Sequence, residues 1–118
     1  MSHDELINFC NNLALLLGHS IGIKANFKYY KEETDVVLVY ISFDENNKEL
    51  IRSKCLDFEL NSEEFEYLNG QKAFKINSFM MEGDTLMALF YIDKRTISWY
   101  KFDENLINSI RSVNKFKL

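Results

Sequence analysis

"VVLVYISF", Val36 to Phe43, decides the fold class of this chain. Apolar residues stand at nearly every position, with no polar face at either helical or strand spacing. Such a run, rich in β-branched residues, predicts a strand at the centre of a sheet. "TLMALFYI", Thr85 to Ile92, reads the same way and predicts a second central strand.

Outward from these runs the pattern becomes alternating. Ile23, Ala25, Phe27 and Tyr29 fall on one side, with Lys24, Asn26 and Lys28 on the other, as in a half-buried strand. "KEETD" turns that strand into Val36, and "DENNKE" follows Phe43 as another polar turn. A further strand is expected with Leu56, Phe58 and Leu60 alternating against Asp57 and Glu59. The alternation loses phase through Arg52 and Lys54, so a bulge is expected near Ser53. "NSEEFEYLNGQKAFKI" supports two readings. Asn69-Gly70 is a hairpin signal, while Asn61 with Glu64 fits a capping box ahead of a short helical turn at 62–68. Phe74 to Met81 is expected as a strand, "EGD" as a turn, and Thr96 to Phe102 as the last strand after "DKR".

Helices are expected at both ends. Ser2 and Glu5 have capping-box spacing, Leu6, Phe9, Cys10, Leu13, Leu16 and Leu17 form an apolar face, and Gly18 is the expected stop. At the other end Asp103 can cap a helix, with Phe102 and Ile107 as a hydrophobic staple. Leu106, Ile107, Ile110 and Val113 form its apolar face, and Arg111, Lys115 and Lys117 suit its negative end. The expected fold is therefore α+β: an antiparallel sheet of about five to six strands, with the N-terminal and C-terminal helices packed on one face. One domain spans residues 1–118.

The net charge is −4, and the excess of acids lies wholly in residues 1–60, with ten acids and six bases against eight of each in the rest. That balance speaks against direct nucleic-acid binding and for a basic partner. Two cysteines, Cys10 and Cys55, make no disulfide framework and read as small buried hydrophobes. "MSHDEL" is acidic where a signal peptide is basic, and "LALLLG" is too short for a membrane span, so a cytoplasmic protein without a membrane role is expected.

No nucleophile elbow, phosphate-cradling glycine loop or zinc-protease motif is present in the sequence. Neither histidine has a partner pattern, so no enzymatic activity, metal or cofactor is expected. The feature that points to a function is the acidic run "DFELNSEEFE". Asp57, Glu59, Glu63, Glu64 and Glu66, with Tyr67 beside them, form a candidate partner-binding patch. Several like charges and an aromatic suit docking of a positively charged protein; the competing reading is a solvated surface. In "TISWYKF" the alternation places Ile97 and Trp99 toward the core, with Tyr100 partly exposed.

"TISWYKFDENLINSI", Thr96 to Ile110, read as a short strand ending in Ile-Ser-Trp and then a polar joint into a final amphipathic helix, resembles the C-terminal end of small immunity proteins of contact-dependent growth inhibition systems. The resemblance covers about twenty residues, and beyond them only a small, acidic and aromatic-rich composition. It implies a protein that binds and inhibits a cognate toxin domain, here expected to be a basic nuclease, by contact alone. No binding residue transfers by position. The alternatives are a type III secretion chaperone, whose family implies a dimer built on a long middle helix, and a small-ligand binder or enzyme. Oligomeric state is left open by the sequence.

Overall fold

The computed structural model describes residues 2–56, 58, 60–61, 73–74 and 76–115. In chain order its elements are α1 (His3–Ile21), β1 (Ala25–Glu32), β2 (Val36–Phe43), α2 (Lys48–Cys55), β3 (Leu60–Asn61), β4 (Ala73–Phe74), β5 (Ile76–Glu82), β6 (Thr85–Asp93), α3 (Lys94–Trp99) and α4 (Glu104–Lys115). The architecture is α+β. One open antiparallel sheet has the strand order β1-β2-β6-β5, and β3 and β4 form a separate two-residue ladder. The main sheet thus has four strands among the described residues, fewer than the five to six expected.

The two apolar runs are the central strands, and the reason is visible in their neighbours. Val37, Val39, Ile41 and Phe43 of β2, with Leu86, Ala88, Phe90 and Ile92 of β6, join the core that α1 fills with Leu6, Phe9, Cys10, Leu13, Leu17 and Ile21. Leu38, Tyr40, Met87 and Leu89 form a second cluster, to which the strand residues Tyr29 and Val36 are added. Both faces of β2 and β6 are therefore apolar, which removes the alternation. Full burial of Phe90, Leu13 and Leu17 contributes roughly 1.5–3 kcal/mol per side chain.

Local chemistry explains the boundaries. The Ser2 hydroxyl accepts from the Glu5 backbone N–H at 3.1 Å, capping α1. The helix runs past Gly18 and ends at Gly22, whose φ of 71° supplies the left-handed turn. Gly18 has another role: a Cβ there would lie 3.1 Å from both Ala25 N and Ile23 O, so the helix end sits close on the chain entering β1. Between β5 and β6, Gly83 takes φ 61° beside the Glu82–Thr85 pair, making a tight hairpin.

Three expected strand segments differ. Residues 48–55 form α2 instead of leading through a bulge into a strand. The Asn47 side chain accepts from Leu50 N–H at 3.1 Å, and Ile51 and Cys55, one helical turn apart, face the core. Leu56 is exposed and Phe58 buried, so they do not share a strand face. Thr96–Trp99 likewise belongs to α3, capped by the Asp93 carboxylate, which accepts from Arg95 N–H at 2.7 Å. In β1 a register shift between Phe27 and Tyr29 leaves Phe27 and Tyr30 with the helix-side core and moves Tyr29 to the other face. Residues 62–68 and Asn69-Gly70 lie outside the described residues.

The C-terminal helix is capped as expected, the Asp103 carboxylate accepting from Asn105 and Leu106 N–H groups at 3.0 and 3.2 Å. Its principal contacts are with α1, however, not with the sheet. Ile107 and Ile110 are buried, whereas Leu106 and Val113 of the expected apolar face are exposed. The Arg111 guanidinium fastens α4 to α1 by donating to the Asn12 side-chain oxygen at 2.9 Å.

Candidate functional site

The acidic residues singled out in the sequence, Asp57, Glu59, Glu63, Glu64 and Glu66, lie outside the described residues, as does Tyr67. The described surface offers a different candidate, at the edge of the sheet. β1 and β5 are the two edge strands. Edge strands leave a row of backbone donors and acceptors open, and charged side chains are a common guard against unwanted pairing. β1 carries Lys28, Lys31 and Glu32, and Glu32 is held by Lys94 at 3.1 Å. β5 is uncharged from Ile76 to Met81, and its first charge is Glu82 at the hairpin. Met80 and Met81 are exposed.

A cleft of about 430 Å³ runs between α2 and β5, lined by Lys48, Arg52 and Cys55 from α2, by Leu56 and Phe58, and by Ile76, Asn77, Ser78 and Phe79 from β5. Ile76 and Phe79 pack toward the helix-side core, while Asn77 and Ser78 are exposed. The cleft touches four consecutive residues of this edge strand where its pairing with β6 shifts register between Ile76 and Ser78, which puts Ile76 and Phe79 on one side. Lys48 and Arg52 stand four residues apart on α2, hence on the same helix face. Among the described residues no carboxylate lines the cleft, although the chain as a whole is acidic. The Arg52 guanidinium lies over the Phe79 ring, 6.0 Å from its centroid, which holds the charge at the cleft wall.

Cys55 brings a thiol to the wall of this cleft. Burial pushes it up to about 11, and pushes Cys10 up to about 12, so neither is a ready thiolate. The other displaced titrations also move away from neutrality. Burial raises Tyr100. Burial, then the Glu82 carboxylate, raises Tyr29. The hydrogen-bonded Arg95 guanidinium lowers Asp93. A thiol, phenol or carboxyl group working as a general acid or base near pH 7 needs the opposite displacement. Among the described residues no group of three or more His, Cys, Asp or Glu side chains could hold a metal ion, and no helix is long and apolar enough to cross a membrane.

Trp99 is not a core plug. It ends α3 with 54% of its surface exposed, and Thr96 and Ile97 take the buried positions instead. Asp93 as a cap, followed by Thr96, Ile97 and Tyr100 at helical steps, is the sequence signal that strand alternation obscured. Tyr100 and Phe102 pack edge-on against Phe9 of α1, closing the core beside the exposed indole.

No protein-family model matches the chain. No curated protein and no solved structure matches it significantly.

Proposed function

We propose that this chain works by binding another protein, and that the partner is a toxin domain held inactive by the contact. The observation that carries the binding reading is the β5 edge: an uncharged strand beside a cleft, with Met80 and Met81 exposed. Strand edges of this kind serve as templates for a partner's backbone. Trp99, exposed by 54%, adds a large aromatic of the type enriched in binding hot spots. The toxin part of the reading rests on the resemblance of Thr96–Ile110 and on the acidic run at 57–66. The Ile-Ser-Trp segment is helical, so what remains of that likeness is the polar joint into the amphipathic α4.

The experiment is co-expression with the protein encoded by the reading frame next to the chain's own gene, reading growth and complex formation. Protection together with a stable complex is the expected result; an unprotected culture with no complex overturns the reading. Reversing Asp57, Glu59, Glu63 and Glu64 to Lys should slow association most strongly at low salt. The same charge change at Glu32, Glu33, Asp35 and Glu45 provides the control for a general field effect.

A further inference from the structure

We infer that the cleft between α2 and β5 receives an extended acidic segment of a protein partner, which adds as a strand to the β5 edge and places its carboxylates against Lys48 and Arg52. The inference rests on the protein-binding reading, and not on the partner being a toxin. The occupant follows from two independent features of the cleft. Its wall on one side is the edge of β5 at Ile76–Phe79, which no strand of the main sheet covers among the described residues. A chain lying there can satisfy open backbone donors and acceptors only in extended form.

The second feature is charge. Lys48 and Arg52 supply two cations on the facing wall, and no ion pair within the described residues neutralises either one. A basic segment would meet uncompensated like charge; an acidic one finds a partner for each cation. Side chains of an extended segment alternate, so every second residue points to the α2 side. Acidic residues at alternate positions of such a segment therefore share the side that faces Lys48 and Arg52, which stand on one face of α2. Beyond the charges, Cys55, Leu56 and Phe58 offer apolar contact.

The test is selection of short random peptides displayed on phage against the full-length chain, followed by binding measurements on the selected peptides. Enrichment of peptides with Asp or Glu at alternate positions is expected. Lys48→Glu with Arg52→Glu should weaken them by about tenfold or more, a decade in Kd being ~1.4 kcal/mol. Both positions line an open cleft, and circular dichroism and thermal unfolding of the double variant check that its fold is unchanged. The same peptide N-methylated at alternate backbone nitrogens, made in both registers, keeps its charge; the register whose methyl groups face β5 cannot pair as a strand and should lose binding to a similar extent. Selected peptides that bind the double variant equally well, or selection of basic peptides or of none, overturn the proposal. Undiminished binding by both N-methylated registers overturns strand addition. Since no toxin enters the assay, these failures leave the toxin reading to stand or fall by the co-expression result.

Discussion

The Tyr29 hydroxyl of β1 donates to the Glu82 carboxylate of β5 at 3.3 Å, joining the two opposite edge strands across the sheet face that no described helix residue helps to build. The Tyr29 ring lies over the sheet, stacked on Tyr40 with centroids 4.3 Å apart. Lys31 covers the same Tyr40 ring at 5.8 Å. Long side chains from the β1 edge thus roof the second apolar cluster.

This bond makes alkaline stability depend on Tyr29. Burial and the Glu82 carboxylate both favour the neutral phenol and raise its pKa above the ordinary 10.0. Between that value and the higher folded one, the folded chain holds a proton that the unfolded chain has lost. Stability should therefore fall as pH rises through this window. Tyr29→Phe should flatten that part of the alkaline limb in thermal unfolding, and Glu82→Gln should move the phenol's absorbance titration down. An unchanged titration in Glu82→Gln would show that the carboxylate does not act on Tyr29.

Trp99 should emit like an indole in water and be quenched by iodide in the native protein, since 54% of it is exposed. Trp99→Ala should change stability by no more than about 0.5 kcal/mol, as surface substitutions usually do. A blue-shifted native spectrum, or a loss of several kcal/mol on truncation, would return the indole to the core.

Cys10, with none of its surface exposed, should react with an aromatic disulfide reagent only at the rate of unfolding at neutral pH, whereas Cys55, at the cleft wall, should react in the native protein but more slowly than a free thiol. Both are buried, with thiols raised to about 12 and about 11. The fold favours the neutral thiol, so their contribution to stability is present below the ordinary 9.0 and is lost as pH rises through the folded values. Labelling of Cys10 in the native protein faster than unfolding would show that its site is open.

Arg111→Ala should cost roughly 1–3 kcal/mol in urea unfolding, because it leaves the buried Asn12 oxygen without the donor it has at 2.9 Å. Replacing both partners, Asn12→Leu with Arg111→Ala, should recover much of that loss. If the double variant is no more stable than the single, the bond between α1 and α4 is not what Arg111 contributes.

The central strands, the terminal helices and most of their caps are legible in the order of residues alone. They follow from short-range physics: an apolar run with no period at 36–43 and 85–92, the Ser2 hydroxyl within reach of the Glu5 N–H, and the Asp103 carboxylate at the start of α4. Packing between distant segments resolves what local pattern leaves degenerate. Residues 48–55 have only Ile51 and Cys55 on their inner side, too little periodicity to separate helix from strand until the core receives both. A shift between Phe27 and Tyr29 reverses which face Tyr29 occupies, because strand side chains repeat every second residue and one extra residue inverts them. Trp99 is exposed because Thr96 and Ile97 fill the space beneath α3 first. The cleft was equally illegible. Lys48 and Arg52 meet Ile76–Phe79 only because α2 packs beside β5, and that proximity is set by burial of Ile51 and Cys55 against residues distant in the chain.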